Sequence, residues 1–494
     1  MNDVVSLETA VPAWMITPFV VMLLSIAILP LVPATAKRWE DWRFQLGIAL
    51  VLGLPVAGWM AFHFGWTPVG HTAFEYFQFI ALLFALFVVS GSLFLEGDIR
   101  ATPKNNSIFL AIGGVIASFI GTTGAAMLLI RPLLNVNSER TRKAHTVVFT
   151  ILIVANNGGL LTPLGDPPLF LGFLRGVPFT WTFRLVPEWL FINLMLLVLY
   201  YALDTVAYAH ETVTAKLKDY TQTTPIKLLG SMNFIFFAMI LIGVAVVPSL
   251  NLEAIEAGTA MWYEFVPWRE IVFAAAAAGS MIFGSKRIRY ELNEYTWAPI
   301  VEVAVLFIGI FLTMMPALKY LAEVAPSLPL NRVTFYVFTG GLSAFLDNAP
   351  TYVTFFEMAG QLPGDPRIAN VPEVFLVPIS LGAVTCGAIT YIGNGPNFMV
   401  KSVAEEYGVE MPSFGGYIGW TLRYLVPVLA AMVLLFVAPG HITTIIGVVV
   451  SVVIVGYALY LYLKWRGKAA EVFSLVGSNL ADGPAVDIHQ HKEN

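Results

Sequence analysis

Long apolar segments recur along the whole chain, and each is close to the length that a helix needs to cross a lipid bilayer, about 20 residues. A soluble globular protein carries about 25% charged residues, whereas this chain of 494 residues carries 12% and is 57% hydrophobic. The sequence therefore predicts an all-α polytopic membrane protein. Nine uninterrupted membrane spans are predicted, at residues 14–33, 44–63, 75–95, 186–206, 231–250, 267–284, 297–318, 417–437 and 442–463.

Charge and cysteine content exclude other classes of protein. Cys386 is the only cysteine in the sequence, which excludes a secreted fold held together by disulfides. The net charge of −5 and the short, scattered basic clusters predict that nucleic acid is not a partner. The N-terminal segment MNDVVSLETAVPAW is acidic and has no basic region or small-residue cleavage site, so we do not expect a cleaved signal peptide.

Four further apolar segments are interrupted near their middle. Residues 107–131 and 333–360 are interrupted by polar residues, which predicts two re-entrant hairpins. Residues 145–175 and 373–400 are interrupted by Gly and Pro clusters, which predicts two broken transmembrane helices. Because lipid cannot hydrogen-bond the backbone groups that a break releases, such breaks usually line a binding cavity.

The interrupted segments of the two halves match each other. Residues 162–168 (TPLGDPP) align with residues 390–396 (TYIGNGP) at an offset of 228, and the hairpins have nearly the same offset. A near-constant offset predicts a duplicated half, with the junction in the linker at 207–229. If each hairpin enters and leaves on one side, the first half crosses five times and the second half starts on the opposite side. The sequence therefore predicts two inverted repeats and about eleven crossings.

These boundaries give a plan of the chain. It comprises a first inverted repeat at 1–206, a cytoplasmic linker at 207–229, a second inverted repeat at 230–440, an extra span at 441–466 and a cytoplasmic tail at 467–494.

The distribution of Lys and Arg orients this plan. Of the 27 Lys and Arg residues, 20 fall on one predicted face and Arg423 lies near a span end. The other face carries only Arg175, Arg184, Arg269, Lys319, Arg332 and Arg367. Loops rich in Lys and Arg stay in the cytoplasm. We therefore expect a bacterial-type inner membrane protein with its N-terminus outside and its C-terminus in the cytoplasm.

Polar residues at the four breaks form the candidate binding site. Their hydroxyl and amide oxygens are hard ligands that suit Na⁺ or Li⁺ rather than transition metals, so we expect no cofactor beyond such an ion. The competing interpretation is that the breaks are kinks and that these side chains only join neighbouring helices. The candidates are Thr122, Thr123, Asn156, Asn157, Thr162 and Gly165 in the first half, and Asn348, Thr351, Thr385, Thr390, Asn394 and Asn397 in the second.

Asp166 and Asp347 are the only Asp or Glu residues within the four breaks. A carboxylate inside the membrane is energetically costly and is functional by default. Burial favours its protonated form and a bound cation favours its ionised form, so one carboxylate can exchange Na⁺ for H⁺. We therefore assign proton coupling to these two residues. The alternative is a structural cap or the partner of an arginine elsewhere in the chain.

In these motifs the chain resembles the ion transporter superfamily, which contains NhaD-type sodium/proton antiporters, citrate and dicarboxylate carriers, and arsenite permeases. The resemblance rests on residues 157–168, 343–351 and 393–397 and covers roughly residues 15–440. It implies a homodimer in which a scaffold domain mediates dimerisation and a transport domain, carrying the motifs, moves across the membrane.

The hairpin tips favour the antiporter branch of this superfamily. They read GTTG at 121–124 and DNAP at 347–350, whereas the dicarboxylate carriers have Ser-Asn-Thr at both tips. We therefore expect a secondary transporter that exchanges Na⁺ or Li⁺ for H⁺ by an elevator-like movement. The alternative is a Na⁺-coupled symporter of citrate, a dicarboxylate or another small organic anion.

A passive channel and an intramembrane aspartyl protease are more remote alternatives, and we do not expect an enzyme. The presenilin-type proteases have two aspartates followed by a Pro-Ala-Leu motif. Here the Pro-Ala-Leu sequence, at 316–318, lies between Asp166 and Asp347.

Overall fold

The computed structural model describes residues 11–30, 32–221 and 223–482, and these residues are predominantly helical. The first ten residues, which include the predicted external N-terminus, lie outside the described part, as does the end of the predicted tail. The helices of the first half are α1 (Thr17–Ile28), α2 (Pro33–Trp39), α3 (Trp42–Phe64), α4 (Thr67–Ser90), α5 (Pro103–Ile120), α6 (Thr122–Val136), α7 (Ala144–Ile153), α8 (Pro167–Leu174), α9 (Val186–Ala209) and α10 (Val213–Thr221).

The remaining helices of the described ranges belong to the second half. Its helices are α11 (Asn233–Val246), α12 (Leu252–Glu256), α13 (Trp268–Phe283), α14 (Ala298–Val324), α15 (Arg332–Ser343), α16 (Asn348–Gly360), α17 (Glu373–Cys386), α18 (Gly395–Glu406), α19 (Phe414–Tyr424), α20 (Val426–Met432) and α21 (His441–Asp482). The last of these continues beyond residue 466, where the final span was predicted to end.

Seven helical segments in the described ranges are long and apolar enough to cross a membrane. An eighth is obtained if α1 and α2, which are bent by 98° relative to each other, count as one span. These segments confirm the prediction of an all-α polytopic membrane protein. The spans predicted at 231–250 and 267–284 correspond to α11 and α13, which have 14 and 16 residues, fewer than a perpendicular crossing needs.

Short 3-10 and π-helical turns connect or extend the main helices. The 3-10 segments are Ala13–Ile16, Asn157–Leu161, Phe179–Leu185, Trp262–Phe265, Ala325–Ser327 and Gly387–Ile389, and the π segments are Arg287–Leu292 and Val433–Val437.

Two short antiparallel sheets complete the described structure. Strand β1 (Phe94–Asp98) pairs with β2 (Thr224–Leu229), and β3 (Arg367–Ile368) pairs with β4 (Val371–Pro372). The first ladder contains a register shift around Gly97, which has φ +135°. A Cβ atom on this glycine would lie 2.7 Å from the Cα atom of Ile226, so a side chain there would force the strands apart.

The long helices pack into two groups, and both halves of the chain contribute to each group. In the first helix group, α1, α3, α4, α11, α13 and α14 contact one another. In the second helix group, α5 to α9 and α15 to α21 do the same. The main helix contacts between the groups pair α4 with α6 and α8, and α14 with α16. The strands β1 and β2 lie on two of the chain segments that pass from one group to the other.

The second helix group contains two helix pairs and two interrupted helices at the predicted positions. Helices α5 and α6 meet at Gly121, whose φ of +83° permits the sharp turn. Helices α15 and α16 meet at residues 344–347, where the turn contains no glycine. The chain leaves α-helical geometry between α7 and α8 and again between α17 and α18, and each stretch contains a short 3-10 segment. Proline at the start of α8 and of α18 favours the renewed helix.

Candidate functional site

Asp166 lies immediately before α8 and is contacted by residues of both halves of the chain. It is 2% exposed and has an extended backbone, and its carboxylate makes no hydrogen bond to the start of the helix that it precedes. The hydroxyl of Thr122, at the start of α6, donates to its Oδ1 atom at 2.9 Å. The second half supplies two amide donors: Asn394 Nδ2 at 3.3 Å from Oδ1 and Asn348 Nδ2 at 2.5 Å from Oδ2. Neutral donors thus hold a buried carboxylate from three separate elements.

Asn348, in the second half, bonds to Asp166 in the first half and retains an unused hydrogen-bond acceptor. It begins α16 and is fully buried. While its amide nitrogen donates to Asp166, its Oδ1 atom is buried without a hydrogen-bond partner. A buried unsatisfied oxygen costs about 1–3 kcal/mol. An oxygen of this kind beside a carboxylate is suited to coordinate a hard cation.

A chain of amides extends from Asn394. Its Nδ2 atom is also 3.1 Å from Asn156 Oδ1 and 3.2 Å from the carbonyl of Ala155. Asn156 in turn donates to Asn397 Oδ1 at 2.6 Å, and Asn397 donates to the carbonyls of Gly387 and Thr390 at 2.8 and 2.9 Å. These amides satisfy carbonyls that the two breaks release and tie the breaks to each other.

Thr162 and Thr390 connect each break to the neighbouring helix pair. The hydroxyl of Thr162 donates to the carbonyl of Ser118 and accepts from Leu164 N at 3.1 Å. The hydroxyl of Thr390 donates to the carbonyl of Ala344 and accepts from Ile392 N at 3.3 Å. Since each hydroxyl already makes both bonds, these threonines position the breaks instead of facing Asp166.

Gly165 and Gly393 allow the breaks to fold tightly. A Cβ atom on Gly165 would lie 2.1 Å from the carbonyl oxygen of Gly159, and one on Gly393 would lie 2.6 Å from that of Gly387. The carbonyl of Gly165 also accepts from Thr122 N at 2.8 Å, which joins the first break to the tip of the α5–α6 pair.

Three other predicted residues each donate to a carbonyl in their own segment, and Thr385 also contacts the hydroxyl of Tyr336 in α15 at 3.1 Å. Asn157 donates to the carbonyl of Leu152 at 2.7 Å, and its Oδ1 atom is buried without a partner. Thr351 donates to the carbonyl of Asp347 at 3.0 Å. Thr385 donates to the carbonyl of Leu381 at 2.7 Å. None of these three bonds reaches Asp166.

Both aspartates line one small cavity of about 110 Å³, which we call the central cavity. Thr123 also lines it, with apolar residues of α4 and α14 forming the opposite wall. Asp347 is partly exposed to this space and caps α16 by accepting from Ala349 N at 3.0 Å. Among the described residues that line the central cavity there is no Lys or Arg.

A larger cavity of about 550 Å³, which we call the vestibule, adjoins the central cavity. The two share five lining residues, including Phe87, Thr123 and Met399. The vestibule is also lined by Arg131, Glu294 and Glu406, and the two glutamates are exposed. The vestibule therefore connects the central cavity with one surface of the protein.

Three residues of this region are missing from the sequence-based site. Ser118 accepts from Leu161 N at 3.1 Å and donates to the carbonyl of Gly158 at 2.5 Å, so it organises the first break from α5. Glu75 and Arg175 form an ion pair between α4 and the end of α8. The sequence offered one signal for this pair, because Glu75 is a carboxylate at the start of the span predicted at 75–95.

Comparison with protein families gives the functional class. Residues 8–437 match a family described as "Putative citrate transport". The chain belongs to this family. No curated protein matches the chain.

Family membership and the apolar helices together define a multi-pass secondary transporter of the lipid bilayer that handles small ions or organic anions. The family is a transport family, so the chain is not an enzyme.

Proposed function

We propose that the protein exchanges Na⁺ or Li⁺ for H⁺, with Asp166 as the group that binds the two ions in turn. The supporting observation is the setting of its carboxylate, which is buried, held by neutral donors and placed beside the unsatisfied oxygen of Asn348. A cation entering the central cavity would meet the carboxylate of Asp166, which lines it, and the buried Asn348 side chain bound to that carboxylate could then turn its oxygen toward the ion. Cation and proton then compete for the same oxygens, which couples their movements.

Asp347 is proposed as the second acidic group of the same cavity. It faces the central cavity from the second half while Asp166 faces it from the first. The absence of Lys and Arg from the described lining disfavours an anion in this space, since no side-chain cation is available to neutralise it.

The proposed mechanism is alternating access by an elevator-like movement of the second helix group against the first. The packing of both hairpins and both broken helices into one group supports this assignment. We further propose that the halves are inverted repeats with about eleven crossings, that the protein is a homodimer in a bacterial-type inner membrane, and that the vestibule faces the cytoplasm. The predicted excess of basic residues on the vestibule side supports the last point.

Na⁺-coupled symport of citrate or a related organic anion is the second candidate. The family description favours it, and so does the vestibule, whose larger volume is lined by Arg131. In this case Asp166 would bind only the coupling ion, and the anion would occupy the vestibule side.

Transport by purified protein in liposomes separates these candidates. We expect a Na⁺ pulse to release protons from the wild-type vesicles, measured with an internal pH dye, and Asp166→Asn to abolish this signal. The introduced amide can be accommodated, because Asn348 can rotate its unpartnered oxygen toward it. Asp347→Asn is measured in parallel.

Glu302→Gln is the matched control for these variants. Glu302 is also a carboxylate within a long apolar helix, but it accepts from Gln45 Nε2 at 3.1 Å and does not line the central cavity. Proton coupling unchanged in both aspartate variants would refute antiport through these residues, and Na⁺-dependent uptake of labelled citrate would then favour the symporter.

Cysteine labelling tests the proposed topology. In a Cys386→Ser background, single cysteines at Lys218 and Lys286 should react with an impermeant maleimide only from the cytoplasmic side. Reaction of the cysteine at position 218 from outside would disprove the five-crossing first repeat.

A further inference from the structure

The central cavity lies partway along α4, between the vestibule and the part of the helix that carries Glu75. Its lining residues Leu82 and Leu86 are followed, near the end of the helix, by Ser90, which lines the vestibule. Glu75 lies in the N-terminal half of the same helix, about 22 Å from Ser90 at 1.5 Å per residue. The vestibule and Glu75 are therefore on opposite sides of the central cavity.

An ion pair joins the two helix groups on the side of Glu75. Both guanidinium Nη atoms of Arg175 contact the carboxylate of Glu75, with Nη2 3.1 Å from Oε2. The Nε atom of the same arginine donates to Glu357 Oε1 at 3.1 Å. Glu75 belongs to the first helix group, whereas Arg175 and Glu357 belong to the second. The arginine thus has one partner across the boundary and one within its own group.

A second contact crosses the boundary beside this pair. The guanidinium carbon of Arg269, in α13, lies 5.3 Å from the ring centroid of Phe173 in α8. Arg269 and Phe173 belong to the first and second helix groups, respectively, so the end of α8 is attached to the first group at two points.

Helix α8 connects this boundary directly with Asp166. Asp166 immediately precedes the helix and Arg175 immediately follows it, so about 13 Å of helix separates the two residues. The helix packs closely on α16, because a Cβ atom on Gly172 would lie 2.3 Å from the hydroxyl of Tyr352. A shift of Asp166 along the helix axis would therefore displace Arg175 and Glu357 together, away from or toward Glu75.

We propose that the bidentate Arg175–Glu75 pair is a latch that closes the central cavity on the side opposite the vestibule. The latch must open before Asp166 can exchange ions with that side. While the second helix group moves, Arg175 keeps Glu357 and exchanges Glu75 for water. Because Arg175 stays hydrogen-bonded to Glu357 in both the closed and the open state, fewer of its N–H donors lose a partner when the latch opens. This role rests on the alternating-access transport proposed above.

The test is the accessibility of a reporter cysteine in the central cavity from each side of the membrane. Val303 lines the cavity from α14, in the first helix group, so Val303→Cys in the Cys386→Ser background stays fixed while the other group moves. Right-side-out and inside-out vesicles are treated with an impermeant maleimide, and the labelling rate is measured from each side.

Glu75→Gln and Glu357→Gln form a matched pair, since each removes one carboxylate from Arg175. We expect Glu75→Gln to raise the labelling rate from the side opposite the vestibule by about threefold or more, because loss of the cross-boundary pair shifts the population toward the open state. Glu357→Gln, which leaves that pair intact, should change the rate from this side by less than about twofold. If Glu75→Gln does not reach the membrane, Glu75→Asp, which shortens the contact, should give a smaller increase of the same sign.

Equal rates for Glu75→Gln and wild type, or equal increases in both glutamine variants, would overturn the latch. Labelling requires no transported ion, so the result is separate from the antiport measurement. A wild-type protein that fails to exchange Na⁺ for H⁺ would refute the proposed transport while the labelling rates still report on the latch.

Discussion

The two breaks bring nearly the same backbone to the centre of the molecule but carry different chemical groups. Asp166 and Asn394 occupy matching positions, with φ −145°, ψ 143° and φ −153°, ψ 137°, and each precedes a helix. Each break also has a threonine bound to a hairpin carbonyl and a pair of closely packed glycines. The first break presents a carboxyl group, whereas the second presents an amide that donates to it. The two breaks therefore share a backbone framework, and they differ in chemistry where Asp166 is matched by Asn394.

Adding a carboxylate to the second break tests whether this difference matters, and it should have the largest effect. Asn394→Asp replaces a donor that faces Ala155 O, Asn156 Oδ1 and Asp166 Oδ1 with an acceptor. We expect transport in liposomes to fall at least about tenfold, since each opposed pair of buried acceptors costs about 1–3 kcal/mol.

The double variant Asp166→Asn with Asn394→Asp restores the number of charges but leaves the new carboxylate against two acceptor oxygens. We expect it to remain inactive in the same assay. Recovery of transport in the double variant would show that the two breaks are interchangeable and would remove the proposed distinction.

Substitution of the glycines should affect both breaks alike. Gly165→Ala and Gly393→Ala each place a methyl group against a backbone carbonyl, at 2.1 and 2.6 Å. Overpacking of this kind costs about 1–3 kcal/mol, so both variants should lower the thermal stability of the detergent-solubilised protein. Gly395→Ala is the control because its Cβ would have no atom within 4 Å. A stable Gly165→Ala variant would contradict the close contact in the first break.

Substitution of Thr162 and Thr390 should have the smallest effect. Comparing the two variants shows how much each break contributes to ion binding. Thr162→Ala and Thr390→Ala each remove one bond to a hairpin carbonyl, worth about 1 kcal/mol. We expect Thr162→Ala to weaken the apparent Na⁺ affinity by about three- to tenfold, because Asp166 lies in the same break, and Thr390→Ala to weaken it less. The serine variants, which keep the hydroxyl, serve as controls. Identical effects of the two alanine variants would show that the breaks contribute equally.

Periodicity and repetition in the sequence were enough to predict the interrupted helices. The offset of 228 residues aligned Asp166 with Asn394. Such an alignment can be made from sequence alone, because it requires only that equivalent segments share a pattern of Gly, Pro and polar residues. Hydropathy was less informative for α11 and α13, because it measures apolar content along a window and does not detect where a helix ends.

Contacts between distant residues could not be predicted in this way. Asn348 is 182 residues from Asp166, and Glu75 is 100 residues from Arg175. Which amide faces the carboxylate, and which glutamate faces the arginine, depends on how the two helix groups pack. The sequence therefore indicated the types of residue at the site, whereas their partners required the three-dimensional arrangement.

The ladder of β1 and β2 has a consequence for the modular organisation of the chain. The segment from residue 99 to 223 leaves one strand of this ladder and returns to the other, so its two ends lie in neighbouring strands about 5 Å apart. A segment with adjoining ends can be inserted into a host chain without stretching it. Exchanging this segment between related transporters would therefore leave the surrounding helices at their original spacing, which makes the ladder a natural junction for chimaeric proteins.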